Sequence, residues 1–208
     1  MTDKTIQYAE NHTTPESDIL RALRRETYIK KVRPQMISGQ IQGQLLTFFS
    51  QMLRPKAILE IGTFTGYAAI CLAQGLAKDG ILHTIEVNEE NETIIRKYLE
   101  KANLTEKIKL HIADAADIIP TLPEIFDMVF IDAGKTHNGM YYDMVFDRVR
   151  SGGFIITDNV LWGGKVTDGS EDKRTRSINE FNQKMHHDER VENLLLPVRD
   201  GLMIVRKL

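Results

Sequence analysis

The stretch from Ala57 to Tyr67 constrains the fold of this chain more than any other part of the sequence. An apolar run reaches Glu60, passes through Gly62 and Gly66, and opens into a helical pattern. This order is typical of a buried parallel strand that turns into a helix at a ligand site. The sequence therefore predicts an α/β fold with a binding loop after its first strand.

The chemistry of this loop indicates which ligand it binds. Its glycines are spaced G-x-x-x-G, whereas a backbone that closes on a pyrophosphate uses G-x-G-x-x-G. A carboxylate at Glu60 would repel a phosphate and attract a cation or hydroxyl donors. We therefore predict a nucleoside site without phosphates, for which S-adenosylmethionine is the obvious candidate.

Strand patterns and helix patterns alternate along the rest of the chain. Strands are predicted at 57–61, 82–86, 108–112, 127–132 and 154–159, helices at 67–78, 88–102, 139–150 and 174–187, and a hairpin at 193–198 and 202–205. Alternation of this kind favours a doubly wound, mostly parallel sheet, here of seven strands with a C-terminal antiparallel hairpin. The hairpin turn is predicted at Asp200-Gly201.

Helical patterns also fill the region before the first strand. A helix is predicted to start with Thr14 as its cap and Pro15 in its first turn, and to run to Lys31. After an interruption at 34–39, a second helix is predicted at 40–53. We expect a single domain over residues 1–208 with a helical extension at about 1–53.

Composition places the chain among ordinary globular proteins. The 208 residues are 42% hydrophobic and 27% charged, and the net charge of -2 gives no overall attraction to nucleic acid or anionic membranes. A single cysteine, Cys71, excludes a disulfide framework. With neither a signal-peptide pattern nor a membrane-spanning run, a cytoplasmic location is expected.

Acidic residues end several of the predicted strands. In an open parallel sheet the ligand lies at the carboxyl ends of the strands, and unpaired carboxylates there would be costly to bury. Glu86 also follows Gly62 by about 24 positions, near the ~20-residue spacing of a ribose-binding acid. The strand ends carry Glu60, Glu86, Asp114, Asp132 and the pair Asp158-Asn159.

Three of these strand-end residues suit a hard metal ion. Asp132, Asp158 and Asn159 offer oxygen donors from neighbouring strands, which is the ligand type that Mg²⁺ prefers. Lys135 lies three residues beyond Asp132, where a nearby cation would lower its pKa and allow it to act as a base. A surface lysine is the alternative interpretation.

At these residues the sequence resembles the cation-dependent O-methyltransferases of the catechol and caffeoyl-CoA type. The resemblance implies the class I methyltransferase form of a Rossmann-like fold, and in this family a homodimer is common. The motifs that carry it are Leu59–Tyr67, Thr84-Ile85-Glu86, Asp127–Lys135 and Asp158-Asn159-Val160-Leu161-Trp162.

The resemblance also implies a role for each site residue. Asp132, Asp158 and Asn159 would hold Mg²⁺ or another divalent cation such as Mn²⁺ or Ca²⁺, and Lys135 would accept the hydroxyl proton. Met36 and Trp162 would flank the substrate ring, with ordinary packing as the alternative.

The cofactor residues are implied by the same resemblance. Glu86 would bind the ribose, and Asp114-Ala115 would border the adenine. The remaining cofactor shell would be Met36, Ser38, Glu60, Gly62, Thr63, Phe64, Gly66, Tyr67, Ala68, Val87 and Asp132, with Ala68 replacing a serine that the family often has.

The expected reaction is methylation of a small aromatic substrate with two adjacent hydroxyls. A different acceptor, a hydroxyuridine of tRNA, would use the basic segment from Arg21 to Arg33. Two further interpretations are a cofactor-binding protein that has lost catalysis and a nicotinamide dehydrogenase. The glycine spacing disfavours the dehydrogenase, and the intact set of metal and base residues disfavours the inactive protein.

Overall fold

The computed structural model describes residues 3–170 and 172–208, apart from the side chains of Asp3 and Lys135. Its helices are α1 (Asp3–Asn11), α2 (Asp18–Lys30), α3 (Gly39–Leu53), α4 (Tyr67–Ala73), α5 (Glu92–Lys101), α6 (Ala115–Ile118), α7 (Asn138–Phe146) and α8 (Lys173–His187). Its strands are β1 (Ala57–Ile61), β2 (Ile81–Glu86), β3 (Ile108–Ile112), β4 (Phe126–Ile131), β5 (Val149–Asp158), β6 (Val191–Leu196) and β7 (Leu202–Lys207). None of the described helices combines the length and the hydropathy needed to cross a membrane.

Within the described residues, seven strands form one sheet in the order β3-β2-β1-β4-β5-β7-β6. Strands β1 to β5 pair in parallel, whereas β7 pairs antiparallel with both β5 and β6. The chain adds β2 and β3 on one side of β1 and then β4 and β5 on the other side. This reversal of the strand order creates a crevice at the carboxyl ends of the strands. The predicted fold class, including the C-terminal hairpin, is confirmed.

The centre of the sheet is buried on both faces because helices cover each of them, whereas the edge strands β3 and β6 are partly exposed. Every residue of β1 is buried, as expected for a central parallel strand. Ile58 packs with α3, α4 and α5 on one face, whereas Leu59 packs with α7 and α8 on the other. Alternate residues of a strand point to opposite faces, so a continuous apolar run supplies both halves of the core.

Close backbone packing joins the N-terminal helices to the sheet region. A Cβ atom on Gly75 would lie 2.0 Å from the Ser50 carbonyl carbon, and one on Gly43 would lie 2.6 Å from the Tyr67 ring. Helix α3 therefore approaches α4 at a distance that only glycine permits at these two positions. This contact holds the helical extension against the loop after β1.

Several predicted boundaries were wrong. Helix α2 is capped by Ser17, whose Oγ accepts a hydrogen bond from Leu20 N, so Thr14 is not the cap. Helix α4 ends at Ala73 instead of residue 78, because Gly75 packs directly against the backbone of α3.

Residues 151–153 fall between the predicted helix at 139–150 and the predicted strand at 154–159, but the structure includes them in a strand. Helix α7 ends at Phe146, and β5 begins at Val149. Gly152 adopts a left-handed φ of 72°, and the pairing of β4 with β5 shifts between Phe126 and Met128. The glycines are accommodated by this irregularity of the sheet, so the chain remains in the strand.

Candidate active site

Four strand ends lie side by side at the carboxyl edge of the sheet. Ile61 pairs with both Ile85 and Ile131, and Ile131 pairs with Thr157. The next residue of each strand therefore falls in one row. That row runs Glu86, Gly62, Asp132, Asp158, with three carboxylates and one glycine.

Gly62 allows β1 and β4 to end in close contact. Its φ is +96°, and a Cβ atom there would lie 2.2 Å from the carbonyl oxygen of Asp132. Asp132 N in turn donates a hydrogen bond of 2.8 Å to Ile61 O. Any side chain at Gly62 would push Asp132 away from the row, so this glycine positions the acid as well as the loop.

Glu86 fixes the loop between Gly62 and Gly66. Its Oε2 accepts a hydrogen bond of 2.7 Å from Phe64 N, and its Oε1 accepts one of 2.8 Å from Asn88 N. The side chain is almost fully buried, yet each oxygen keeps a lone pair for a further donor. This arrangement fits the predicted binding of ribose hydroxyls.

Glu60 is completely buried beneath this loop. Its Oε2 accepts a hydrogen bond from the Thr84 hydroxyl, which also contacts the Thr63 hydroxyl, each at 2.5 Å. Its Oε1 is buried without a hydrogen-bond partner in the described residues. Burial, reinforced by the charges of Asp132 and Glu86, raises the pKa of Glu60 to about 8. A cationic or donor-rich ligand would satisfy the unpartnered oxygen.

Most of the predicted cofactor residues line one shallow cleft above the row. This cleft brings the N-terminal segment against the loop after β1, although the two are distant in sequence. Met36 is 53% exposed, whereas Ser38 is buried. The predicted residues in the cleft are Met36, Ser38, Gly62, Thr63, Phe64, Tyr67, Ala68 and Asp132.

The predicted adenine border lies beyond Glu86. Ala113 N donates a hydrogen bond of 3.0 Å to Glu86 O, which places Asp114 and Ala115 next to the end of β2. Asp114 caps α6 by accepting from Ala116 N at 2.8 Å, and Ala115 is buried. Val87 is 75% exposed. The structure thus gives Asp114 a structural role alongside the predicted one.

The predicted metal ligands Asp158 and Asn159 are held by two side chains that the sequence did not indicate. Asp158 Oδ2 accepts a hydrogen bond of 2.9 Å from Gln42 Nε2, and its Oδ1 accepts one of 2.7 Å from Asn159 N. Asn159 Nδ2 donates to Asp200 Oδ2 at 3.2 Å. That bond directs the amide nitrogen to Asp200, so the amide oxygen is the atom that could meet the predicted metal ion.

Gln42 and Asp200 are therefore functional candidates that sequence reasoning missed. Gln42 is fully buried, and its Oε1 lacks a hydrogen-bond partner within the described ranges. One signal was present for Gln42, since it lies four residues before Leu46, a position facing the core in an amphipathic helix. A polar residue in such a position is informative.

The described residues contain no group of three or more His, Cys, Asp or Glu side chains that could hold a metal ion. The predicted set has two carboxylates, Asp132 and Asp158, and the amide oxygen of Asn159. These are hard oxygen donors at the ends of adjacent strands, and soft ligands are not among them. The donor chemistry fits a magnesium-type ion with several positions left for other oxygens.

The predicted base and the predicted substrate residue lie on loops beside this row. Lys135 begins a short 3₁₀ turn, Lys135–His137, but its side chain is outside the described residues. Trp162 is half-buried with a φ of 53°. Its Nε1 is buried and has no hydrogen-bond partner in the part of the chain that the structure describes.

The basic N-terminal helix is largely neutralised by acids. Arg24 pairs with Glu16 at 2.8 Å, and Glu26 pairs with both Lys30 at 2.8 Å and Lys97 at 2.6 Å. Hydrogen bonds from these two lysines lower the pKa of Glu26 to about 2. These cations are engaged within the protein, which argues against an RNA-binding patch.

A cavity of about 350 Å³ lies away from the carboxyl edge, between α2, α3 and α4. Glu16, Tyr67 and Cys71 are among its lining residues. The cavity contains none of the carboxylates of the strand-end row. The candidate site is therefore assigned by its chemistry and not by the volume of the cavity.

Comparison with known proteins identifies what this arrangement is similar to. The family model described as O-methyltransferase matches residues 10–208. Caffeoyl-CoA O-methyltransferase 1 of Nicotiana tabacum is 32% identical over 197 residues, covering 88% of this chain and 82% of the tobacco protein. Caffeoyl-CoA O-methyltransferase 2 of Petunia hybrida is 32% identical over 186 residues, covering 83% and 77%.

Solved structures agree with the sequence matches. The O-methyltransferase of Bacillus cereus in complex with SAH is 31% identical with a TM-score of 0.88, covering 97% of this chain and 96% of that one. The O-methyltransferase TomG of Streptomyces achromogenes in complex with SAM is 27% identical with a TM-score of 0.90, covering 100% and 99%.

The raised pKa of Glu60 predicts a pH-dependent stability. Between its unfolded pKa of 4.5 and its folded pKa of about 8, the folded protein retains a proton that the unfolded chain releases. The free energy of unfolding should therefore fall as pH rises through this window, by at most about 1.4 kcal/mol per pH unit. Glu60→Gln should lack this decrease in the free energy of unfolding, because the amide does not titrate. The measurement is urea unfolding at pH 5, 6.5 and 8 in the presence of chelator.

The exposed Glu89→Gln variant serves as the control and should follow the wild-type pH dependence. The raised pKa of Glu60 would be contradicted if wild type and Glu60→Gln differed in stability by the same amount at pH 5 and at pH 8.

Proposed function

We infer what this chain does from the family to which it belongs, the O-methyltransferases, whose chemistry makes it an S-adenosylmethionine-dependent enzyme. We propose that it methylates one hydroxyl of a small aromatic substrate with two adjacent hydroxyls. We propose that the reaction requires a divalent cation, with Mg²⁺ the expected ion and Mn²⁺ or Ca²⁺ as substitutes. The observation that carries this proposal is the row of Glu86, Gly62, Asp132 and Asp158 at the carboxyl edge.

The row supports a site with two halves. On one side, both oxygens of Glu86 offer acceptors to hydroxyl groups. On the other side, Asp158 and Asn159 offer oxygen donors to a cation. Asp132 lies between them, next to Gly62, so we assign it to both the cofactor shell and the cation.

We assign the cofactor half to the residues of the cleft and its border. Glu86 would accept hydrogen bonds from the ribose hydroxyls while it continues to hold Phe64 N. Gly62 and Gly66 would run beneath the methionine part of the cofactor. Ala68 cannot donate a hydrogen bond from its side chain, so the buried Ser38 would be the nearby hydroxyl in the cleft.

We assign the acceptor half to Asp132, Asp158, Asn159 and Lys135. Bound S-adenosylmethionine supplies the methyl group, and a bound divalent cation lowers the pKa of the acceptor hydroxyl. Gln42 keeps Asp158 oriented toward the row, and Asp200 keeps the Asn159 oxygen free to bind. Lys135 would take the hydroxyl proton, which prepares the oxygen for attack on the methyl group.

Trp162 and Met36 support an aromatic acceptor. Met36 is exposed beside the cleft, and Trp162 is half-buried in the loop after Asn159. The tobacco and petunia relatives are caffeoyl-CoA O-methyltransferases. We therefore propose a catechol-like acceptor, and both residues as flanking its ring.

A tRNA acceptor is less well supported. In α2, Arg24 is paired with Glu16, Lys30 with Glu26 and Arg21 with Asp18, and the net charge is -2. The dehydrogenase and the inactive binding protein find no support in the comparisons, which match O-methyltransferases.

We further propose one methyltransferase domain over residues 1–208, with the helical extension at about 1–53, and a cytoplasmic location. The buried, unpaired Cys71 is compatible with a reducing compartment. A homodimer is also proposed, because Phe48 and Met52 lie one helical turn apart on α3 and are 50% and 73% exposed. A second copy of the chain would cover these apolar side chains.

Asp158→Ala should abolish cation-dependent methyl transfer while leaving cofactor binding nearly unchanged, because Asp158 lies on the acceptor half of the row. The measurement is transfer of a labelled methyl group to catechols, caffeoyl compounds, and unmodified and hydroxylated tRNA, with Mg²⁺ or with chelator. Calorimetry with S-adenosylhomocysteine checks cofactor binding separately.

Asp168→Ala is the matched control, since Asp168 is an exposed loop acid whose carboxylate accepts a hydrogen bond from Ser170 N. It should retain wild-type transfer. Full activity of Asp158→Ala in Mg²⁺ would refute the metal assignment, and transfer to tRNA alone would refute the proposed substrate.

Lys135→Ala should lower kcat by about 10²–10⁴-fold with little change in KM, because it removes the proposed base and not a binding group. Lys135→Arg should not restore turnover, since a guanidinium does not release its proton. Lys165→Ala, a change of an exposed lysine in a later loop, is the control. Steady-state kinetics with a kcat equal to wild type would exclude Lys135 as the base.

The double variant Phe48→Glu with Met52→Glu should be monomeric, because two carboxylates would have to be buried between copies of the chain. Sedimentation velocity should give about twice the 23.8 kDa chain mass for wild type and the chain mass for the variant. A monomeric wild type would contradict the proposed homodimer.

A further inference from the structure

The turn between β6 and β7, Arg199–Gly201, touches two loops of the candidate site at once. One is the cofactor segment, residues 35–38, which carries Met36 and Ser38. The other is the acceptor loop, residues 159–163, which carries Asn159 and Trp162. These two loops are more than 100 positions apart in the sequence, and the turn lies between them in space.

Arg199 holds the cofactor segment through its backbone. Its Nη1 donates to Ile37 O at 2.8 Å and also to Ser38 O, and its Nη2 donates to Gln35 O at 3.2 Å. A planar guanidinium presents its donors in a fixed fork, so one side chain can fix three carbonyls of this segment, which consists of the end of a short 3₁₀ turn and the two residues after it. A lysine ammonium carries fewer donors and has no fork.

Asp200 and Gly201 hold the acceptor loop. The Asp200 carboxylate accepts a hydrogen bond from Asn159 Nδ2 at 3.2 Å and another from Gly163 N at 2.5 Å. Its backbone carbonyl accepts a third from Leu161 N at 2.8 Å. A Cβ atom on Gly201 would lie 2.5 Å from the Leu161 side chain, and its φ is +84°. The turn is therefore pressed directly against the loop.

We propose that Arg199 and Asp200 form a brace that fixes the cofactor segment relative to the acceptor loop. Both are positioning residues, since they touch neither cofactor nor substrate in the proposed function, on which this inference rests. The brace would set the distance between the methyl donor and the acceptor oxygen, to which methyl transfer is sensitive. Ile37 and Val160 anchor the two loops in different halves of the core, so the core holds each loop separately and the brace joins them.

The brace is separable from the stability of the hairpin that carries it. Arg199 is exposed, and the pairing of β6 with β7 begins beyond it, at Leu196 and Leu202. Arg206 on β7 also makes a cross-strand contact, from its Nη1 to Glu192 Oε2 at 2.8 Å. Arg206→Met therefore removes an arginine from the same hairpin without touching either loop.

The first test compares Arg199→Met, Arg199→Lys and Arg206→Met with wild type. The dissociation constant for S-adenosylhomocysteine is measured by calorimetry in chelator, and hydrogen exchange of residues 35–38 is measured without ligand. Arg199→Met should weaken binding by about tenfold or more, the effect of losing roughly 1.4 kcal/mol of hydrogen bonding to a charged group. It should also speed exchange of the segment.

Arg206→Met should match wild type in both measurements, and Arg199→Lys should recover only part of the affinity. Unchanged exchange and an affinity within twofold of wild type in Arg199→Met would overturn the brace. A wild-type protein that does not bind S-adenosylhomocysteine would instead contradict the proposed function, and the exchange measurement would still decide the brace.

The second test addresses the other arm. Asp200→Asn keeps the side-chain volume but replaces one acceptor oxygen with an NH₂ donor. That donor would face another donor, either Asn159 Nδ2 or Gly163 N, so one hydrogen bond would be lost. Hydrogen exchange of residues 159–163 should rise and kcat should fall, with no change in affinity for S-adenosylhomocysteine. Wild-type exchange in this variant would show that Asp200 does not hold the loop.

Discussion

The close approach of Gly62 to Asp132 is the contact on which the site depends. Parallel pairing of β2, β1, β4 and β5 brings Glu86, Gly62, Asp132 and Asp158 into one row. Asp132 can lie beside Gly62 in this row because Gly62 lacks a Cβ atom, which would lie 2.2 Å from the backbone oxygen of Asp132. One glycine therefore gives the binding loop its turn and the neighbouring acid its place.

A row of carboxylates is costly in a folded protein, and hydrogen bonds reduce this cost at Glu86 and at Asp158. Glu86 accepts two backbone N–H bonds, and Asp158 accepts from Gln42 and from Asn159 N. Glu60, beneath the row, keeps a proton to an unusually high pH because its pKa is raised. Repulsion among the acids is thus moderated in the free protein, and a cationic ligand would relieve what remains.

Positions in the row could be predicted from the sequence because each depends on local rules. An acid directly after an apolar run, or a glycine before a helix pattern, specifies a strand end without knowledge of the partner strand. Gln42 and Asp200 obey no such rule, since their roles come from contacts across 116 and 41 positions. Boundaries failed for a similar reason, as at Gly75, where packing against Ser50 ends α4 early.

By itself, the sequence determined the fold class, the residues at the strands' carboxyl ends and the kind of ligand that their side chains suit. Hydrophobic periodicity and the placement of acids and glycines are local properties, so they can be read along the chain. Tertiary structure alone decided which side chains hold these residues in place. Gln42 reaches Asp158 and Arg199 reaches the segment at 35–38 only after α3 and the terminal hairpin pack beside the sheet, because such pairings follow from the geometry of packing and not from periodicity.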